Sequence, residues 1–222
     1  MTTQSRIFQR LGGLGIAFSV LFVAANFLFG SSPSTGASAA KVIGYFHAHR
    51  TAETAGVFVV AAAAIAFTFF LAALRHKLGA TDEGRRLSPI VTAGGTVYVV
   101  GLLLMAALQV ALVDAAHFHI GAAAQSLNVL SNDTWLPVVV GLSIVSLGTG
   151  VSAIRSATLP KWLAWASVAL GVLAVSGPAG SIAFLIAPLW TLTVGIVILR
   201  STTADEKARS HEPAGSYLPA RN

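Results

Sequence analysis

Cysteine is absent from the 222 residues. That excludes disulfides, thiolate metal sites and cysteine nucleophiles. Charge is scarce as well: 10% of the residues are Asp, Glu, Lys or Arg, against about 25% in an average soluble domain. Acidic residues number 8, beside 14 lysines and arginines. The resulting pI of 10.3 does not mark a nucleic-acid binder, because the basic residues lie between apolar runs and form no face of their own. No Gly-x-Ser-x-Gly, P-loop, His-Glu-x-x-His or Gly-x-Gly-x-x-Gly motif occurs. The chain is therefore expected not to be an enzyme, and no cofactor is implied. There is no internal repeat and no alternation of period two.

What is present is apolar. Hydrophobic residues make up 55% of the chain, and the mean hydropathy of +0.77 is too high for a water-soluble fold. Six uncharged runs, at about 11–29, 55–74, 90–113, 135–154, 162–177 and 182–199, approach the ~20 residues that a helix needs to cross a bilayer core. Lipid leaves no backbone group unpaired, so these runs are expected to be helices. The expected fold is all-α, a six-helix transmembrane bundle over residues 1–200 whose main partner is the lipid bilayer. The fifth run is the shortest. "GPAG" at 177–180 is a turn signal, which would make runs five and six a hairpin.

The charges orient the bundle. With alternating spans, Arg6, Arg10, Arg75, Lys77, Arg85, Arg86, Arg155, Lys161, Arg200, Lys207, Arg209 and Arg221 share one side, and only Lys41 and Arg50 fall on the other. The positive-inside rule makes the first side cytoplasmic and both termini internal. The first run, preceded by Arg6 and Arg10 and followed by "GASA", also resembles a signal peptide. At 19 residues it exceeds the usual ~7–15 of a signal core, so retention is expected. Residues 201–222 carry two prolines and a glycine and read as a disordered cytoplasmic tail. Short surface helices are expected within 30–54 and 114–134, both external.

Between the ends of the runs the polar residues are neutral, among them Asn26, Thr68, Thr92, Thr96, Tyr98, Gln109, Ser143, Ser146, Thr149, Ser167, Thr191 and Thr193. Transporters and pumps usually place ionisable groups at mid-membrane, and none lies there. Such residues serve either as hydrogen-bonding contacts between helices or as the lining of a path for a neutral solute. Small residues four apart, such as Gly15 and Ser19 or Ser167 and Gly171, allow close helix packing. Pro188 is expected to kink the sixth run.

Two segments carry chemistry-bearing side chains. "GYFHAHRTAE", at 44–53, precedes the second run, and "DAAHFHI", at 114–120, follows the third. His49 and Glu53 are four apart, and Asp114 and His117 are three apart, so each pair would share a helical face. Both lie at the expected outer surface, where consecutive helices are neighbours. The four side chains form a candidate outer cluster with ligand types suited to zinc, copper(II) or nickel(II). The alternatives are a pH-sensitive contact between His117 and Asp114 or a set of ordinary interfacial side chains. No histidine lies in a run, which disfavours haem.

"ATLPKWLAW" at 157–165 resembles the link before the fifth helix in small six-helix membrane proteins of high-GC bacteria, a family of unknown function. "IGYFHAHR" and "AQSLNVLSND" resemble segments before the second and fourth helices of those proteins. The resemblance covers roughly residues 5–200. It implies a six-helix protein of the bacterial inner membrane and carries no activity or site residue. The absence of catalytic motifs and of intramembrane charge makes a non-enzymatic scaffold, sensor or envelope protein the expected function; the alternatives are a permease for a small neutral solute, lined by residues such as Gln109 and Asn26, and an outward-facing metal-binding protein.

Overall fold

A computed structural model describes residue 7 and residues 10–210. The described chain is helical, with no strand among the described residues. In order the helices are α1 (Leu14–Phe29), α2 (Ala39–Ala48), α3 (Arg50–Leu78), α4 (Asp82–His117), α5 (Gly121–Asp133), α6 (Trp135–Ser156), α7 (Lys161–Ala174) and α8 (Gly180–Ser210). A short 3₁₀ turn, Gly177–Ala179, joins the last two. Gly177 adopts a left-handed φ of 68°, so the "GPAG" signal does form the hairpin turn.

Among the described residues five helical stretches are long and apolar enough to cross a membrane: Arg10–Phe29, Arg50–Leu78, Asp82–His117, Gly121–Ser156 and Gly180–Ser201. This is the geometry of a multi-pass membrane protein. The fifth expected span corresponds to α7, which has 14 residues and so runs about 21 Å at ~1.5 Å per residue, less than the ~30 Å hydrocarbon core. In contrast, α4 has 36 residues and extends about 54 Å. Its start is capped by the Thr81 hydroxyl, which accepts from the Gly84 N–H at 3.1 Å. Asp82 and Glu83 in the first turn suit the positive end of the helix dipole. Helix α8 continues to Ser210, ten residues past the boundary expected for a disordered tail. Ala204, Glu206, Lys207, Ala208 and Arg209 are strong helix formers, which outweighs the polarity of the segment. Residues 211–222 lie outside the described residues.

Packing is closest between α4 and α6, the most extensive helix pair. A Cβ on Gly94 would fall 2.5 Å from the Val145 nitrogen, and one on Gly101 would fall 2.9 Å from the Val138 nitrogen. Gly150 and Gly171 play the same part between α6 and α7, as their spacing from small neighbours suggests. Hydrogen bonds tie these layers together: Ser143 Oγ donates to the Gly171 carbonyl at 2.7 Å, and Trp190 Nε1 donates to Ser167 Oγ at 2.8 Å. Most of the other intramembrane hydroxyls bond to their own helix four residues back, as Thr68, Thr149 and Thr191 do. They satisfy themselves and do not join helices. Ser19 on α1 does both, its single hydroxyl hydrogen shared between the Gly15 carbonyl at 2.8 Å and the Pro188 carbonyl of α8 at 2.6 Å.

The core has two parts. The larger one runs through the bundle and contains an aromatic group, Phe18, Phe22, Phe67, Phe70 and Tyr98, with ring centroids 4.9–6.1 Å apart between neighbours. The smaller one gathers Val42, Phe46, Leu112, Val113, Ala116 and Ala124. There the two short helices α2 and α5 fold over the end of α4 and roof one end of the bundle.

Candidate functional site

The roof encloses a cavity of about 280 Å³. The 30–38 connection is held to α5 by Asn128 Nδ2, which donates to the Ser34 carbonyl at 3.0 Å. Asn132 Nδ2 donates to the Asn128 carbonyl at 2.7 Å. Asn26, Ser32, Gln109, Asn128, Ser131 and Asn132 form the polar part of the cavity wall. Phe22, Phe29, Phe46, Leu102, Met105, Trp135 and Phe184 are prominent in the apolar part. No charged side chain lines it. Ser32 and Asn132 are exposed at its rim, and Phe22 and Leu102 at the other end are buried. Beyond Phe22 the aromatic group of the main core closes the bundle.

Gln109 connects this wall to the interior. Its Nε2 donates to Glu53 Oε2 at 2.7 Å, and its Oε1 accepts from Ser131 Oγ at 3.3 Å. Glu53 is 0% exposed and does not itself line the cavity. Its other oxygen, Oε1, is buried and has no hydrogen-bond partner. The expectation that Glu53 stands at the outer surface is therefore corrected. Residue 53 falls in the first turn of α3, and the roof helix α2 lies over that turn, so the side chain points into protein. Tyr45 on α2 donates its hydroxyl to the Phe29 carbonyl at 2.9 Å. Burial first, and then the nearby Glu53 carboxyl, push the Tyr45 phenol above its ordinary value, so it keeps its proton and remains a donor.

The two histidine segments do meet. The rings of His47 and His119 stack with centroids 5.7 Å apart, and Arg50 Nη1 approaches the His117 ring, 3.3 Å from Nδ1. The four residues picked out from spacing are arranged differently. His49 lies at the break between α2 and α3, where its Nδ1–H donates to the Tyr45 carbonyl at 2.8 Å. Its ring stacks on Tyr45 at 4.3 Å. Glu53 is buried, Asp114 is exposed, and His117 faces Arg50. Among the described residues no three His, Asp or Glu side chains are placed to hold a metal ion.

His119 has a left-handed φ of 53°. Its N–H bonds to the Ala116 carbonyl, and the Ile120 N–H bonds to the Ala115 carbonyl. That is a Schellman stop, usually formed on glycine. The turn ends α4 and starts α5 over the cavity, and it brings His119 against His47. Sequence reasoning passed over Ser131, Asn128 and Trp135 as site residues. The signal was the spacing of Asn128, Ser131 and Asn132, which share one face of α5. No protein-family model matches the chain, and neither a curated protein nor a solved structure matches it.

Proposed function

We propose that the chain is a six-span protein of a bacterial inner membrane, with both termini internal, that binds a small neutral solute from the outer side in the roofed cavity. Charge asymmetry supports the orientation, since twelve of the fourteen basic residues share one side. In this arrangement α7 is the fifth span, shorter than the others and paired with α8, the sixth. The resemblance to six-helix proteins of high-GC bacteria supports the bacterial membrane.

The cavity carries the functional reading. Its wall combines amides and hydroxyls with aromatic rings and holds no charge. Such a wall orients a solute that has both polar and apolar parts and rejects an ion, whose lost hydration it cannot replace. At about 280 Å³ the space lies near the lower bound of ligand pockets, about 300–1,000 Å³, so the solute is small. The buried rings beneath close the path inward, which makes this the outward-facing arrangement of a permease.

Solute binding is tested on purified protein in lipid nanodiscs with a panel of neutral alcohols, amides and sugars of increasing size. A solute that fits raises the unfolding midpoint with the logarithm of its concentration, reaching about 2.7 kcal/mol of stability at a hundred times its dissociation constant. Ala106→Phe, which places a ring in the cavity, should abolish that gain. If no member stabilises the wild type more than the Ala106→Phe variant, the cavity is packing space and a scaffold role stands in its place.

A further inference from the structure

We propose that Glu53 is a proton-binding site, and that Gln109 and Ser131 transmit its protonation to the cavity wall so that recognition there is proton-coupled. The coupling rests on the solute-binding role of the cavity; the proton relay stands on its own geometry. Three observations carry it. Glu53 is fully buried with one oxygen bare. Its other oxygen takes the Gln109 amide. The far end of that amide holds Ser131, a cavity residue.

A buried carboxylate with an unpaired oxygen is costly, and no Lys or Arg side chain forms an ion pair with it among the described residues. Tyr45 on α2 and His49 at the break after it are the titratable groups acting on Glu53; Lys41 is exposed. Tyr45 gives its hydroxyl to Phe29. From α4 the facing group is the neutral Gln109, while Asp114 is exposed and His117 is engaged by Arg50. Helix α1 has no titratable side chain between Leu14 and Phe29. The first charged residues along α6 and α8 are Arg155 and Arg200, near the opposite end of the bundle. Asp133 on α5 is exposed.

The relay follows from donor and acceptor inventory. With Glu53 ionised, Gln109 Nε2 donates to the carboxylate and Ser131 Oγ donates to Gln109 Oε1. Ser131 then shows only lone pairs to the cavity. A proton taken from water onto Glu53 Oε2 makes that atom a donor. The amide turns over, its Oε1 accepts from the carboxylic acid, and its Nε2 donates to Ser131 Oγ. The serine hydroxyl hydrogen is released to donate into the cavity. One proton on Glu53 thus changes the wall from acceptor to donor and favours a neutral solute that presents a carbonyl or ether oxygen.

The test uses the full chain, solute-free, in lipid. Infrared spectroscopy follows the carbonyl band of protonated Glu53, assigned by its loss in Glu53→Gln. Selective ¹⁵N labelling of the four glutamines follows the Gln109 side-chain nitrogen in parallel. Trp135 emission, assigned by Trp135→Phe, reports on the cavity. All three signals should titrate with one midpoint. In Ser131→Ala the Glu53 and Gln109 signals should persist and the Trp135 response should be lost. A Glu53 band that does not titrate, or a Gln109 signal that stays flat while the band titrates, overturns the relay. An unchanged Trp135 response in Ser131→Ala overturns its last step. Because no solute is present, a failed solute screen beside a working titration removes only the proposed function.

Discussion

Gly141→Ala should destabilise the bundle by roughly 3 kcal/mol, at the upper end of the usual cost of overpacking. A Cβ at residue 141 would lie 2.6 Å from Tyr98 Cα and 2.8 Å from the Val97 carbonyl carbon. These are backbone atoms, so no side chain can rotate aside, and α4 and α6 must separate. Tyr98, Leu102, Val138, Leu142 and Val145, all buried in the main core, would then lose contact. Dispersion contacts of this kind and interhelical hydrogen bonds are what hold helices together in lipid, where the hydrophobic effect does not separate protein from surroundings. Gly44→Ala is the control. Nothing lies within 4 Å of its Cβ position, so the change should be neutral or stabilise α2 by roughly 0.5–1 kcal/mol. Unfolding midpoints in the same lipid decide the comparison. A Gly141→Ala midpoint equal to that of Gly44→Ala would show that the close helix contact is not what it seems.

Gln109→Leu should cost roughly 2–3 kcal/mol, since hydrogen bonds to charged groups are worth about 1.5–3. The substitution removes the one hydrogen-bond donor to Glu53 Oε2, and Oε1 has none to begin with. The buried carboxyl would then have only the Tyr45 hydroxyl near it, which already donates to the Phe29 carbonyl. Replacing both partners tells a different story: the Glu53→Leu, Gln109→Leu double variant should recover most of the loss, because an apolar pair has nothing left to satisfy. Chemical denaturation of the four proteins completes the cycle. A double variant as unstable as the sum of the two single ones would mean that the two side chains are energetically independent.

Helices and turns were legible in the residues because lipid imposes one simple demand, paired backbone over an apolar length. Even the two surface helices and the meeting of the histidine segments followed from chain order. The depth of Glu53 did not. Flanked by His49, Arg50 and Thr51, it read as the wet edge of an apolar run, and only the fold of α2 over that edge buries it. Gln109 was legible, with Asn26, as a possible lining residue, but not as the partner of a buried carboxyl. Its role comes from facing Glu53 across α3 and α4, a contact between residues 56 positions apart. Ser131 and Asn128 looked like part of a surface helix and became cavity lining when α5 folded back. The metal cluster suggested by spacing took pairs along one helix as neighbours. The break at His49 and the burial of Glu53 turned its members in different directions.

The proposed cavity opens to the outer side of the membrane. Cysteine is absent, so a single Ser131→Cys reports access without background. A membrane-impermeant thiol reagent added to intact cells should modify that residue from outside. Lys161→Cys, at the start of α7 on the proposed inner side, should react only after the membrane is permeabilised. The reverse pattern, Lys161→Cys modified in intact cells and Ser131→Cys only in broken ones, would place the cavity on the inner side of the membrane.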